Sequence, residues 1–153
     1  MLALELDKSA VKTFMGQLLR GDIFDIFEVR SIEIATATRI NIDGLLEIET
    51  EKDKKPSFAT WEALRPLVYE IIKASPKPKH VKIVFSYKAE EACDIHPNAA
   101  ALFLNMTYEN DGVSFTTGVS QREFALDKSL DSNWDEWVKA FFTKTGLSVN
   151  DRE

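Results

Sequence analysis

The sequence predicts an α+β fold: a mostly antiparallel sheet of about five or six strands packed by three helices. Three observations carry the prediction. Apolar residues recur at helical spacing in three stretches. Between those stretches they alternate with a period of two. Asp-Gly and Asn-Asp-Gly steps join neighbouring strands, where a parallel sheet would need long crossovers. The expected order is α-β-β-α-β-β-β-α, which lacks regular βαβ alternation.

The first helix is expected over 8–20. Asp7 or Ser9 is placed to cap it, Val11, Phe14, Met15, Leu18 and Leu19 form its apolar stripe, and Gly21 ends it. A long half-buried strand then presents Ile32, Ile34, Thr36, Thr38, Ile40 and Ile42 to one side. Asp43-Gly44 turns it back into residues 45–50. A bulged loop with Gly44 left-handed opposes Ile40 to Leu46, Thr38 to Ile48 and Arg39 to Glu47, which keeps one face apolar and forms an ion pair. Residues 51–56 read as a charged loop. The second helix, near 58–73, buries Trp61, Leu64, Val68 and Ile72, and Pro66 is expected to kink or restart it.

In the next strand, 80–88, Val81, Ile83, Phe85 and Tyr87 face one way and His80, Lys82, Val84, Ser86 and Lys88 the other. An acidic loop over 90–98 follows. A second hairpin around Asn110-Asp111-Gly112 pairs Tyr108 with Val113, Met106 with Phe115 and Leu104 with Thr117, and a short strand is expected near 124–126. The last helix, near 133–145, has Ser132 and Asn133 as caps, an aromatic core stripe from Trp134 to Phe142, and Gly146 as its stop.

The 153 residues, 44% hydrophobic and 29% charged, suit one globular domain over 1–153 with a core that needs no disulfide or metal. Cys93 is the only cysteine, so no internal bridge forms and a cytoplasmic location is expected. Residues 1–7 carry two acids and no basic group, unlike a secretory signal. The longest apolar run, 99–104, is too short to span a bilayer, so no membrane partner is expected. The net charge of −6 is uneven: residues 52–88 hold nine basic groups against three acids, while both flanks are acidic. A positive middle of this kind fits either an anionic partner or the protein's own acidic ends.

Several motifs, read in order, resemble a known family. They are Val11-Lys-Thr-Phe-Met15 with Leu18-Leu19, Phe24-Asp-Ile-Phe27, Ile42-Asp-Gly44, Phe103-Leu-Asn105, Thr116-Thr-Gly-Val-Ser120, and Phe124-Ala-Leu-Asp-Lys128 leading into Trp134-Asp135. Together they are similar to a bacterial, mainly clostridial, domain of unknown function, and they run nearly end to end. The resemblance implies a single domain and brings with it no activity, ligand or catalytic residue.

No motif with an established mechanism is present. The six glycines form no dinucleotide fingerprint or phosphate-cradling loop, so no cofactor is expected. Cys93-Asp-Ile-His96 brings a thiol near an imidazole, but a closed zinc shell needs four ligands and the only other histidine is His80, so no metal is expected. The remaining candidates are polar. Thr116 and Ser120 flank Gly118 in a hydroxyl-rich segment suited to an oxyanion, with Gly118 opposite Phe103. Lys77, Lys79, Lys82 and Lys88 line or precede one strand face. If that face coincides with the one holding Asn105, Thr107, Ser114 and Thr116, the surface suits an anionic small molecule or phosphate-bearing ligand. The expectation is a non-catalytic binding or interaction domain. The alternative is a small hydrolase or transferase built from scattered groups such as His80, Asp43 and Cys93.

Overall fold

In the computed structural model, the structure describes residues 1–47, 57–74 and 77–152. Helical spacing places Val11, Phe14 and Leu18 on the buried stripe of α1 (Val11–Arg20), as expected. A 3-10 turn, Lys8–Ala10, leads into it. Neither Asp7 nor Ser9 caps it through a side chain; the Asp7 carbonyl takes the Ala10 amide instead. The second helix, α2 (Trp61–Ala74), continues through Pro66 rather than restarting there. Pro66 and Glu62 are both exposed, so solvent can satisfy the carbonyl that the missing proline amide leaves.

Among the described residues seven strands form one antiparallel sheet: β1 (Ala3–Leu6), β2 (Glu28–Ala35), β3 (Arg39–Asp43), β4 (His80–Ser86), β5 (Ala99–Glu109), β6 (Gly112–Gln121) and β7 (Val149–Asp151). Their spatial order is β3-β2-β4-β5-β6-β1-β7. The α+β class and antiparallel sheet are as predicted. The order is not: β1 and β7 add two strands, and a four-residue helix, α3 (Ala92–Ile95), breaks the expected acidic loop.

The first hairpin corrects the sequence reading. The chain does not run straight from Ile32 to Ile42; it reverses at Thr36-Ala37-Thr38, pairing Ile34 with Ile40, Ile32 with Ile42 and Ala35 with Arg39. A Thr36 amide bond to the Thr38 carbonyl, at 2.8 Å, closes the turn. Arg39 makes a cross-strand ion pair, but with Glu33 rather than Glu47. Gly44 is not left-handed. It lies where the Arg30 carbonyl accepts its amide, and a methyl there would overlap the Val29 carbonyl oxygen. Leu46 pairs with Ser57 instead of Ile40, while Ile48, the remaining return residues 48–50 and the charged loop lie outside the described residues.

The second hairpin has the expected register throughout: Tyr108 faces Val113, Met106 faces Phe115, Leu104 faces Thr117 and Phe103 faces Gly118. Asn110 and Asp111, at φ 53° and 62°, make the tight turn whose twist suits two strands. A methyl on Gly118 would sit 3.8 Å from Phe103, so the glycine is not needed to make room for the ring.

Residues 124–126 form no strand. The last helix, α4 (Ser129–Thr145), begins four residues earlier than expected, so Ser132 and Asn133 lie inside it. Asp127 accepts the Ser129 amide at 2.9 Å and serves the end that those residues were expected to cap. Gly146, at φ 75°, closes the helix as predicted.

All the strand side chains of the core lie on one sheet face, against α1, α2 and α4. The centre is aromatic. Phe24 touches Phe14, Phe27, Phe85, Phe115 and Phe141, with ring centroids 5.0 to 6.5 Å apart. The two fully buried indoles satisfy their N–H groups on carbonyls, Trp61 on Leu18 and Trp134 on Phe103. Among the described residues no helix is long and apolar enough to cross a membrane.

Candidate ligand-binding face

Because side chains alternate across a strand, the sheet has a second face, and among the described residues no helix covers it. The registers place Lys82 of β4 beside Thr107 of β5, which stands beside Ser114 of β6. The neighbouring row runs from Val84 to Asn105 to Thr116. The two polar sets named from the sequence therefore share one face. Asn105 Nδ2 donates to Thr116 Oγ1 at 3.3 Å. The Lys82 row also holds Glu33 on β2 and Glu5 on β1, so the face alternates in charge rather than being uniformly basic.

The other candidates scatter. Lys88 is off the strand, because β4 ends at Ser86 and Lys88 precedes a 3-10 turn, Ala89–Glu91. Its expected alignment with Lys82 is thereby lost. Lys77 pairs with Asp111 at the β5–β6 turn; their hydrogen bond raises the lysine's pKa and lowers that of the carboxyl. Lys79 is exposed and anchors by its amide to the Ala35 carbonyl. Ser120 is exposed opposite Ala101. Thr117 faces the core, where it accepts the Leu2 amide at 2.8 Å and donates to Asp135 at 2.6 Å. Its own amide goes to the Leu2 carbonyl, so an oxyanion would have to displace a sheet bond to reach it.

One residue missing from the sequence reading stands out on this face. A bulge between Val29 and Ser31 reverses the phase of β2, so Val29 and Ile32 both point inward and Arg30 emerges on the open side. Its Nε donates to the Ser86 hydroxyl at 3.2 Å, and its guanidinium carbon lies 3.8 Å from the Phe58 ring centroid and 5.3 Å from that of Phe103. Burial lowers its pKa, opposed by Glu28. Glu28 itself is raised, by burial first, against the hydrogen bond from the Ala89 amide. Strict alternation from Ile32 and Ile34 would have buried Arg30. The signal for the bulge is the three-residue step from Val29 to Ile32.

The sign of the Glu28 shift gives a prediction. A folded-state pKa raised above the unfolded value contributes stability that is full at low pH and falls as pH rises through the folded value. Glu28→Gln keeps the oxygen that accepts the Ala89 amide and removes the buried charge. Its stability should therefore match or exceed wild type at neutral pH, and its urea midpoint should change less with pH across the carboxylate range. A variant less stable than wild type at neutral pH would contradict this.

Two histidine environments bear on catalysis. His80 lines an open groove of about 720 Å³ with Glu33, Lys79, Glu109 and Tyr108. Among the described residues the only side-chain hydroxyl lining it, on Tyr108, donates to Asp111. His96 Nε2 lies 2.8 Å from Ser129 Oγ, and Ser129 bonds Asp127 at 3.0 Å. The resemblance to a catalytic triad is superficial. His96 Nδ1 accepts the Asn98 amide at 3.1 Å, so the neutral ring carries its proton on Nε2 and donates to the serine, whose hydroxyl then donates to Asp127. The serine proton points away from the base. Cys93 is exposed on α3, and Asp43 receives the Leu45 amide on the rim of β3.

The fold and its face define a class: an antiparallel sheet armoured by helices on one side and, among the described residues, polar and free of helices on the other. Residues 17–150 match DUF5721, a family of unknown function, and the chain belongs to it. No curated protein and no solved structure matches the chain.

Proposed function

We propose that this chain is a cytoplasmic, non-catalytic binding domain whose bare sheet face receives a small anionic, phosphate-bearing ligand. The observation that supports this reading is the register that sets Lys82, Thr107 and Ser114 in one row beside Asn105 and Thr116 in the next. Lys82 stands in this row, and Lys8 and Arg152 line the same groove as Thr107, Ser114 and Thr116, so cations and neutral donors together suit a phosphate or carboxylate group. Glu5, Glu33 and Glu109 around it would repel a long polyanion, which argues for a small ligand over a nucleic-acid backbone.

The test is titration with nucleotides and sugar phosphates at low salt, read by amide shifts. Shifts should centre on Lys82, Thr107 and Thr116, and affinity should fall as salt is added. Lys82→Gln should weaken binding about ten-fold, the scale of one charged hydrogen bond, with an unchanged melting temperature. If no phosphate-bearing compound binds at low salt, the reading is wrong.

A further inference from the structure

The sheet order ends on β3, so among the described residues no strand lies along its outer edge. Two bonds show which groups that edge presents. The Thr36 amide donates to the Thr38 carbonyl, and the Gly44 amide to the Arg30 carbonyl. In an antiparallel ladder, pairs that exchange hydrogen bonds alternate with pairs that do not. Here the even-numbered pairs, Ile34 with Ile40 and Ile32 with Ile42, are the bonded ones. The amides and carbonyls of Arg39, Asn41 and Asp43 therefore point outward. Nothing blunts this edge: β3 holds no proline or glycine, and its register with β2 is unbroken from Arg39 to Asp43.

The strand Arg39-Ile40-Asn41-Ile42-Asp43 is complementary to itself when reversed. Set antiparallel to a second copy about a two-fold axis at Asn41, Arg39 faces Asp43, Ile40 faces Ile42 and Asn41 faces its own copy. No other register lets all the outward-pointing residues bond one another. Both faces of the strand gain from it. On the open face, Arg39 pairs with Glu33 of its own chain, and the second copy's Asp43 would flank it on the free side. The Asp43 carboxylate accepts the Leu45 amide and, among the described residues, has no cation against it. On the core side, Ile40 and Ile42 are only half-buried, and a non-bonded pair brings such side chains closest together. Just past the strand, Leu45 and Leu46 are 44% and 40% exposed, which adds apolar surface beside the edge. The opposite edge has no such symmetry, because β7 is Val149-Asn150-Asp151 and carries no basic residue.

We propose that two copies of this chain join through β3, antiparallel about a two-fold axis at Asn41, so that one sheet runs through the dimer. The same patch serves both copies, which closes the assembly at two subunits. The inference does not depend on the ligand reading of the open face.

Sedimentation equilibrium of the full chain over a dilution series tests it. Wild type should be a dimer that dissociates on dilution. Asp43→Arg sets arginine against Arg39 of the second copy, and Arg39→Asp sets aspartate against Asp43. Each change alone should raise the dissociation constant at least about ten-fold, since two attractive cross-strand pairs become repulsive. An equimolar mixture of the two variants should dimerise again, because both cross-strand pairs are then opposite in charge. Amide exchange on wild type locates the contact. In the dimer Arg39, Asn41 and Asp43 should exchange more slowly than in the dilute monomer, while Ile40 and Ile42, bonded to β2 in both states, should change far less. If a charge reversal prevents folding, the exchange measurement decides alone. A monomeric wild type at every concentration overturns the proposal. So does a dimer whose Arg39, Asn41 and Asp43 amides exchange as in the monomer, or a mixture of folded variants that stays monomeric.

Discussion

Phe24→Ala should cost about 3 to 5 kcal/mol, the range for deleting a buried ring. Phe24 is 1% exposed and touches five other rings drawn from α1, β4, β6, α4 and its own loop. Through it two helices, α1 and α4, meet two central strands, β4 and β6. Collapse around the lost ring would need all of these elements to shift together, so a cavity should persist and the cost should fall near the top of the range. Urea denaturation should show a large drop in midpoint with an unchanged slope, since the surface exposed on unfolding is nearly the same. A loss below about 1 kcal/mol would mean that the aromatic centre does not hold these layers together.

Gly44→Ala should be strongly destabilising, although it adds only a methyl group. That methyl would overlap the Val29 carbonyl oxygen, which is backbone and cannot rotate away. Relief requires moving either β2 at its bulge or the segment where Gly44 receives the Ala59 amide. Overpacking of this kind costs about 1 to 3 kcal/mol. The bulge also aims Arg30, so its guanidinium should lose registry with Ser86 and Phe103. Amide shifts on β2 and around Phe103 should therefore change together with the midpoint. A variant as stable as wild type, with an undisturbed Arg30 environment, would show that the strand ends tolerate the methyl.

The sequence was legible where local chemistry and long-range pairing agree. Alternation on both sides of Asn110-Asp111-Gly112 has one register that turns Leu102, Leu104, Met106, Tyr108, Val113 and Phe115 to the core, and β5 and β6 adopt it pair for pair. The first hairpin was not legible, for a geometric reason. A three-residue turn at 36–38 pairs even-numbered residues with even-numbered ones, so the period-two pattern passes through the reversal unbroken and reads as one strand. Thr36-Ala37-Thr38 contains no glycine or proline to mark the turn, whereas Asp43-Gly44, which does read as a turn, is where the strand leaves the ladder. The edges were silent because β1 and β7 have four and three residues, too few for a period to register. At the candidate face, the polar rows followed from alternation once the second hairpin was right. Arg30 depended on a bulge, and the partnership of His96 with Ser129 spans 33 residues of sequence, which no local pattern reports.

The placement of β1 has a consequence for how the chain is assembled. Leu4 lies opposite Phe115 on one side and Asp151 on the other, so β1, made before the other six strands, is enclosed by segments that arrive more than a hundred residues later. During synthesis from the N-terminus, residues 3–6 have no ladder to join until β6 has been made. The β2–β3 and β5–β6 hairpins close over short spans and can form while the chain is still growing. Leu4 and Leu6, nearly fully buried at the end, wait exposed through most of that time. Closing so long a loop is slow. The step that completes the sheet is thus also the one that withdraws its stickiest early segment from solution, and conditions that slow synthesis should lengthen its exposure to aggregation.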